Sequence, residues 1–450
     1  MKKYYLYSLL FFLFSCFACS NSADKEDVEI PGKNELKVTF PIDFSPEWVA
    51  SVAGKEVTII NPLFVTQTYN GTKPQGTIVV SSEIKRAFVD VNRPSVTAYP
   101  EWVEKHDTDK LTVVSSYPLI DKSNTLRVGS KLAEVKGKVT YGASGYSLTL
   151  TEKPKITYHT RSAVPTVNDY NLKVMSFNAE NFYMSGNTGN AEALRQHAKI
   201  LAALKEVEAD VYAICEMEQG DFTVNYLCES LNKAIGQERY AWLNTSGQKT
   251  SKIQTNVFIY DKTKVSPYKE FKNYDFDNLK MRYIVQCFEL TLNKARVILA
   301  MNHFKAKTSG TDMNDGQGRS ADRRVLEAGE CLKAYNELTV YYEDPDVLVL
   351  GDLNSYSMED AIKVFTDAGY KNLLKEYSPT AWSYCYRGEV GYLDHSLSSQ
   401  TLTAQITGAA PWDINAGEPA YLGYKYTTYY NENPYRCSDH NPIITWINLK

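Results

Sequence analysis

Several apolar runs in the C-terminal two-thirds of the chain end in a carboxylate or an amide, and this pattern constrains the fold most. The clearest runs are residues 347–350 before Asp352, 172–177 before Asn178 and 211–215 before Glu216. Continuous apolar runs of this length are typical of strands that are buried on both faces of a sheet. Polar residues at the ends of such strands gather at one sheet edge, where loops leave them open to substrate. The pattern predicts an α/β domain with a functional site at a sheet edge.

Six short segments carry residues of this kind. Their carboxylate and amide oxygens suit a hard metal ion, and their histidines can move protons near neutral pH. Hydrolysis of a phosphate ester needs a metal ion to neutralise charge, a base for water and an acid for the leaving oxygen. The segments are residues 176–181, 215–218, 302–305, 351–354, 393–395 and 438–442. Together they predict a metal-dependent phosphodiesterase.

Length and charge narrow the possibilities further. At 450 residues the chain is longer than a single hydrophobic core usually serves, so two domains are expected. The net charge of −4 provides no global basic field that would attract nucleic acid. A nucleic-acid substrate would therefore depend on local Lys/Arg patches and a bound metal ion. The charge disfavours a tight DNA-binding protein, but not an enzyme that turns nucleic acid over.

The N-terminus resembles a bacterial lipoprotein signal peptide. Two lysines precede an apolar run, residues 4–17, which is shorter than the roughly 20 residues that span a bilayer. Cys16 has the better-fitting residues before it, but Cys19 is followed by a polar segment, and we predict that Cys19 is lipidated. Acyl chains there would anchor the protein to a bacterial outer membrane, at the cell surface or on the periplasmic face. A cleaved secretory peptide with incidental cysteines is the alternative.

The residue pattern divides the rest of the chain into regions. After a signal peptide at residues 1–19, residues 20–45 are polar and predict a flexible tether. Residues 46–160 contain short strand-like runs separated by turn residues, which predicts a small all-β domain. A linker follows, and residues 170–450 mix strand and helix patterns. His197 lies on the apolar face of a predicted helix and is interpreted as a packed residue.

Six cysteines follow the signal peptide. An oxidising compartment would permit disulfides, and no Cys/His spacing fits a zinc site. Cys385 and Cys437 each flank a motif, so this pair is the first candidate for a disulfide.

The ordered motifs resemble the endonuclease/exonuclease/phosphatase superfamily, the DNase I-like fold, over about residues 170–450. Additional segments are similar to bacterial extracellular nuclease-like proteins, whose N-terminal part is often an OB-like module. These segments are residues 302–307, 316–324, 391–395 and 412–416. The resemblance implies a four-layer αββα sandwich of the α/β (α+β) class, with the site at one edge of two packed sheets. It also implies a smaller N-terminal all-β (OB-like) domain.

The resemblance assigns metal-binding residues. Glu216 matches the metal-binding glutamate with Asn178 beside it, and Asp439 matches the aspartate that completes the metal shell. The implied cofactor is Mg²⁺, or Mn²⁺ or Ca²⁺ in its place. Arg282 matches a basic position that would bind phosphate, although a solvated arginine is an alternative.

The catalytic residues are implied in the same way. Asp352 and Asn354 match an Asp-x-Asn pair that holds metal or phosphate and positions the attacking water. His303 matches a general acid or phosphate clamp. Asp394 matches the carboxylate that orients His440 and stabilises its cation.

We therefore predict an extracytoplasmic nuclease that acts as a monomer, with DNA favoured over RNA. The acidic charge and the membrane anchor favour an alternative, a lipid or small-molecule phosphodiesterase or phosphatase. An inactive binding module is a third possibility, and the intact set of site residues argues against it. Tyrosines and cations interleave over residues 421–436 and predict either a strand-binding surface or ordinary packing.

Overall fold

The computed structural model describes residues 35–68, 76–119, 125–142, 145–243, 253–272 and 281–450. In this part of the chain no helix has the length and apolar character needed to cross a membrane. The predicted signal peptide, with Cys16 and Cys19, lies outside the described residues.

The N-terminal region, residues 35–157, is built around one mixed sheet. Its strands are β1 (Glu35–Val38), β2 (Glu56–Ile59), β3 (Leu63–Gln67), β4 (Gly76–Ser81), β5 (Lys85–Arg86), β6 (Leu111–Ser115), β7 (Lys131–Ala133), β8 (Val135–Gly142), β9 (Gly145–Leu150) and β10 (Lys155–Thr157), and its helices are α1 (Pro46–Ser51), α2 (Phe88–Val91) and α3 (Ala98–Thr108). The sheet order is β1-β2-β8-β9-β6-β4-β3-β7-β10. Burial alternates along β6, as expected for a sheet that packs mainly one face on a core.

Two features of this region differ from the sequence-based expectation. Strand β1 lies within the predicted tether and pairs in parallel with β2. The all-β prediction for this region is wrong, because α1, α2 and α3 lie where strands alone were predicted. Only His106 is buried on α3, so the helix has too little apolar periodicity to be seen in the sequence. Packing supports it instead, because Trp102 stacks on His106 and contacts Phe88 with ring centroids 3.8 and 5.6 Å apart.

The C-terminal region, residues 172–447, contains two further large sheets. Its strands are β11 (Leu172–Phe182), β12 (Val211–Glu218), β13 (Tyr240–Trp242), β14 (Gln254–Asp261), β15 (Val265–Tyr268), β16 (Arg282–Leu290), β17 (Arg296–His303), β18 (Val347–Asp352), β19 (Lys371–Asn372), β20 (Tyr384–Tyr386), β21 (Glu389–Gly391), β22 (Asp394–Ser398), β23 (Ile406–Pro411) and β24 (Ile443–Ile447). The first sheet has the order β13-β14-β12-β11-β24-β23, and the second has the order β15-β16-β17-β18-β22-β19.

Helices cover the outer faces of these two sheets. The covering helices are α4 (Ala191–Val207), α5 (Asp221–Ile235), α6 (Ala321–Tyr342) and α7 (Asp360–Asp367). The region also contains α8 (Leu373–Tyr377), α9 (Gln400–Thr403) and a short 3₁₀ helix, Ala420–Leu422. Ile200 of α4 and Leu227 of α5 pack on the first sheet, and Leu338 of α6 packs on the second. The described residues therefore form the αββα sandwich of the DNase I-like fold that the sequence predicted.

Strand β18 shows why a continuous apolar run predicted a strand that is buried on both faces. Leu348 and Leu350 point into the core between the two sheets, whereas Val347 and Val349 point into the core beneath α6 and α7. Both faces of the strand are covered, so every position is buried and no polar alternation appears.

The two regions share a small sheet and buried polar contacts. Strand β5 pairs in parallel with β21, which in turn pairs with β20. Arg86 donates to the carbonyls of Thr380 and Ala381 at 2.9 and 3.0 Å. Asp90 is fully buried and accepts from the Ser357 hydroxyl at 2.9 Å. These contacts fix the N-terminal region against the sandwich.

The structure also decides two smaller questions. His197 is packed as predicted, with its ring 4.9 Å from the ring of Tyr226, and burial lowers its pKa. The expected disulfide between Cys385 and Cys437 is wrong, because the described cysteines are free. The Cys385 thiol lies 3.6 Å from the Thr66 carbonyl, in a contact between the two regions.

The tyrosine-rich segment 421–436 serves largely for packing. Tyr421 belongs to the core of the N-terminal region, and Tyr429 packs against that core. The Tyr435 ring lies 4.0 Å from the Arg161 guanidinium. The packing alternative of the sequence analysis therefore accounts for these three tyrosines.

Candidate active site

The second sheet brings three predicted site residues into one row. In β17 and β18, which run in parallel, His303 lies opposite Asp352. In β18 and β22, which are antiparallel, Asp352 lies opposite Asp394. The row crosses one edge of the sheet, as the strand-end pattern predicted.

Irregularities in the first sheet aim two more residues toward that row. The β11–β12 register shifts after Asn178, and the β12–β14 register shifts between Ile214 and Met217. Glu216 lies in this second irregularity with φ of 57°. Bulges of this kind redirect a side chain away from the ordinary alternation. The backbone N–H of Asn181 donates to Glu216 Oε2 at 2.9 Å and holds the carboxylate in place.

A bridging amide joins the two sheets at the centre of the site. Asn178 Nδ2 lies 3.3 Å from Glu216 Oε1 and 3.2 Å from Asp352 Oδ2. Asp352 Oδ1 accepts the backbone N–H of Asn354 at 2.8 Å. The Asn354 side chain donates to the Phe304 carbonyl at 3.2 Å. Each buried polar group thus has a partner that limits its rotation.

His440 forms a hydrogen-bonded pair with Asp394. Its Nδ1 lies 2.8 Å from Asp394 Oδ2, and its Nε2 lies 3.9 Å from Asp352 Oδ2. Burial alone would lower the pKa of His440, but the carboxylates of Asp394 and Asp352 raise it well above its usual value. The two carboxylates thus favour the protonated imidazole, and its Nε2 faces the remaining site residues.

His303 occupies the other side of Asp352. Its Nε2 lies 3.7 Å from both Glu216 Oε1 and Asp352 Oδ2. Arg282 starts β16 directly opposite His303 and is buried, so the solvated-arginine alternative is wrong. Its guanidinium bonds to Gln254 and to the Phe304 carbonyl. Arg282 thus supports the floor of the site from below.

The carboxylates crowd one another in a way that suits a divalent cation. Burial and then the Asp439 carboxylate raise the pKa of Glu216. Burial also raises the pKa of Asp352 to about 7, against the opposing effect of the His440 cation. Asp352, Asp394 and His440 have ligand atoms within 4.8 Å of one another. Oxygen donors in this density fit a hard cation, which would relieve the repulsion between like charges.

Two further glutamates of the motifs have structural partners. Glu180 pairs with Lys425 from the tyrosine-rich segment. Glu218 accepts the backbone N–H groups of Met184 and Ser185 at 3.1 and 2.9 Å and so fixes the loop after β11.

The site opens into a cleft of about 640 Å³ that both regions line. Its floor consists of Glu216, His303, Asp352, Asn354, Asp439 and His440. One wall is formed by α2, α3 and the residue pair Asp107 and Lys110, and another by residues 306–319 and β20. Sequence reasoning missed Tyr99 and Tyr384 on these walls. No local signal reveals them, because the wall forms only when distant parts of the chain meet.

Residues 175–440 match the model of the Endonuclease/Exonuclease/phosphatase family, which is more than half of the chain. Among solved structures, the chain is similar to an endonuclease/exonuclease/phosphatase from Bacteroides vulgatus, with 14% identity, a TM-score of 0.43 and coverage of 62% of this chain and 99% of that chain. It is similar to the Bacteroides thetaiotaomicron VPI-5482 mannosyl-6-phosphatase Bt3783, with 12% identity, a TM-score of 0.42 and coverage of 61% and 98%. It is also similar to D. rerio TDP2 in complex with a single-strand DNA product, with 14% identity, a TM-score of 0.42 and coverage of 61% and 97%. No curated protein sequence matches the chain. The family match, together with the sandwich and the ordered site, shows that the chain belongs to the endonuclease/exonuclease/phosphatase family of phosphoester hydrolases.

Proposed function

We propose that this protein hydrolyses phosphodiester bonds in nucleic acid, with DNA as the favoured substrate, and that it requires a divalent cation. The observation that supports this most directly is the hydrogen-bonded Asp394–His440 pair beside the Asn178 amide that links Glu216 to Asp352. This arrangement places proton-transfer groups and oxygen ligands around one small volume at the floor of the cleft.

Glu216, Asn178 and Asp439 would hold Mg²⁺, or Mn²⁺ or Ca²⁺ in its place. The bound cation would neutralise charge on the phosphate. Asn178 orients the Glu216 carboxylate through its amide, and Asn181 fixes the second carboxylate oxygen. The bulged strands therefore preorganise these ligands before the cation arrives.

The other residues hold the proton and the attacking water. Asp394 accepts from His440 Nδ1, so Nε2 is the nitrogen that exchanges a proton with the substrate. Asp352, held by Asn354, positions the attacking water. His303, on the far side of Asp352, acts as general acid or holds a phosphate oxygen. The two histidines thus both lie beside Asp352, where they would contact a bound phosphate.

Nicking of supercoiled plasmid tests this function. The protein without its signal peptide is incubated with Mg²⁺ or Mn²⁺, with EDTA as the metal control. We expect metal-dependent nicking that is lost in His440→Ala and kept in His197→Ala, a packed histidine outside the site. Thermal unfolding followed by circular dichroism checks that both variants fold. Absence of cleavage of both the plasmid and a single-stranded oligonucleotide, with metal-dependent turnover of bis(p-nitrophenyl) phosphate, would replace the nuclease with a small-molecule or lipid phosphodiesterase.

We also propose that Cys19 carries a lipid that anchors the protein outside the cytoplasm. The apolar run at residues 4–17 and the polar residues after Cys19 support this. Metabolic labelling with a fatty acid in bacterial cells should be lost in Cys19→Ser and kept in Cys16→Ser. Labelling that depends on Cys16 instead would move the anchor by three residues, and no labelling would contradict the anchor.

A further inference from the structure

A ladder of aromatic rings leads outward from the floor of the cleft. The Tyr384 ring centroid lies 4.5 Å from that of His440, with an interplanar angle of 30°. Tyr386, two residues further along β20, projects to the same side, because side chains alternate along a strand. The two tyrosine rings are 6.4 Å apart and nearly parallel, at 16°. Tyr386 is 53% exposed at the cleft mouth, and the Arg387 guanidinium lies 5.2 Å from its ring centroid.

Helix α3 provides the opposite wall. Tyr99, Val103 and Asp107 line the cleft and are spaced four residues apart, so they form one face of the helix. The Tyr99 ring is held by Phe88, with centroids 5.4 Å apart. Lys110, just beyond the helix, also lines the cleft and pairs with Asp107 at 3.0 Å. Aromatic and apolar surface therefore faces the cleft from both regions.

The distance between the walls is fixed by close packing. Gly316, in the loop between β17 and α6, has φ of 95°, and a Cβ there would lie 2.6 Å from Phe88 Cδ1. The Ser95 N–H donates to the Asp315 carbonyl at 3.0 Å in the same contact. Since a side chain at 316 has no room, the loop backbone packs directly on the side chains of Phe88, Val89 and Tyr99. The N-terminal region thus forms a fixed part of the cleft wall.

The charges around the cleft are mixed. Acidic Asp107, Asp312 and Glu389 share the lining with Lys110, Lys307, Arg319 and Arg387. A surface that follows a duplex backbone by electrostatics carries a continuous basic track, and this lining has none. The volume of about 640 Å³ is that of a small-molecule site and suits about one nucleotide unit.

We infer that the cleft between β20 and α3 is a stacking subsite for an unpaired nucleobase next to the scissile phosphate. The inference rests on the proposed function and specifies its substrate class, which is single-stranded or frayed nucleic acid. Bases stack on exposed tyrosine rings with little regard to sequence. A base within a duplex is already stacked and paired, so it cannot enter the gap without being extruded. The enzyme should therefore cleave single strands in preference to duplex interiors.

Matched oligonucleotides test the subsite. One single strand carries all its bases, and a second has an abasic residue beside the labelled scissile phosphate. For the wild type we expect the abasic strand to be cleaved with kcat/KM about 10-fold lower, which corresponds to one lost stacking contact. In Tyr386→Ala the two strands should be cleaved at similar rates, whereas Tyr386→Phe should restore the difference. Tyr386 is exposed, so its removal spares the core.

A second pair of variants tests the N-terminal wall. Tyr99→Ala should raise KM for the normal strand about 5- to 10-fold and leave the abasic strand unaffected. Tyr141→Ala, at a 75% exposed tyrosine on the N-terminal sheet that does not line the cleft, should change neither. Thermal unfolding confirms that each variant folds.

Two results would overturn the inference without touching the proposed function. They are equal cleavage of normal and abasic strands by the wild type, and faster cleavage of a blunt duplex interior than of a single strand. Absence of metal-dependent cleavage of any nucleic acid would overturn both the inference and the proposed function.

Discussion

The floor of the cleft consists of side chains held at the ends of buried strands, whereas the outer wall consists of side chains on a helix that is mostly exposed. On the floor, Asn178, Asp352 and His440 are buried and each is held by hydrogen bonds. On the wall, Tyr99 is half-buried and only His106 of α3 is buried. Bond cleavage needs groups whose positions are fixed before substrate arrives, so the chemistry lies in the sandwich.

The wall has a different requirement, because it need only lie at the right distance from the floor of the cleft. Its position comes from the docking of α2 through Asp90, Arg86 and the contact of Phe88 with Gly316. A surface of this kind can change its side chains without disturbing the metal ligands. On the proposed function, the sandwich carries out the reaction and the docked region selects the substrates that reach it.

Removal of divalent cations should give the largest effect and should act on the floor alone. We expect EDTA to abolish cleavage of a single-stranded oligonucleotide and added Mg²⁺ or Mn²⁺ to restore it, because the cation neutralises the charge that develops on the phosphate during cleavage. Binding of a non-cleavable strand, measured by fluorescence anisotropy, should respond less to EDTA than to Tyr386→Ala. Full activity after exhaustive chelation would contradict the assignment of cation-dependent chemistry to the floor of the cleft.

Asp394→Asn should be the next most severe change. The asparagine keeps the shape but loses the charge that stabilises the His440 cation, so kcat should fall by about 1,000-fold while KM changes little. Steady-state kinetics on the oligonucleotide gives both constants. An unchanged kcat with a raised KM would mean that the Asp394–His440 pair serves substrate binding, as the wall residues do.

Asp90→Ala should test whether the wall is part of one cooperative structure. The change leaves the Ser357 hydroxyl and the Arg86 guanidinium without their buried partner, so the free energy of unfolding should fall by about 3 kcal/mol. Urea unfolding followed by tryptophan fluorescence measures the loss. Asp367→Asn, at an exposed i,i+4 pair with Lys363, is the control and should cost under about 0.5 kcal/mol.

Gly316→Ala should produce the smallest of these effects. The new Cβ meets Phe88 and also requires a residue with positive φ, which together should cost about 2 kcal/mol. Gly186→Ala is the matched control, since Gly186 has φ of 70° and open space around it, and should cost about 1 kcal/mol. If both variants unfold at the same urea concentration, the contact between loop and wall is looser than the structure implies.

The α/β class and the floor of the site were predictable from particular local patterns, and the resemblance of the motifs implied the sandwich. The run 347–350 marked a strand covered on both faces, and the residues just after it marked a sheet edge. Asp352 ends β18, and Glu216 lies near the end of β12. The two strands belong to different sheets, so these residues meet because the sheets pack face to face with their site ends together. The chemistry was therefore readable before the tertiary structure was known.

The wall was not predictable in this way. Helix α3 buries a single residue and so leaves no apolar period in the sequence. The expected disulfide failed for a related reason, because flanking a motif in sequence says little about distance in the fold.

The sequence by itself determined the α/β class of the C-terminal region and the order of the site residues, because strand periodicity and strand-end motifs are local properties. The resemblance carried by those motifs implied the sandwich and the class of reaction. Only the tertiary structure decided how the cleft is closed. Phe88 meets Gly316, and Tyr99 faces the same cleft as Tyr384, across more than 200 residues of chain. Contacts between such distant residues depend on how two folded regions dock, and docking leaves no periodic pattern in either segment.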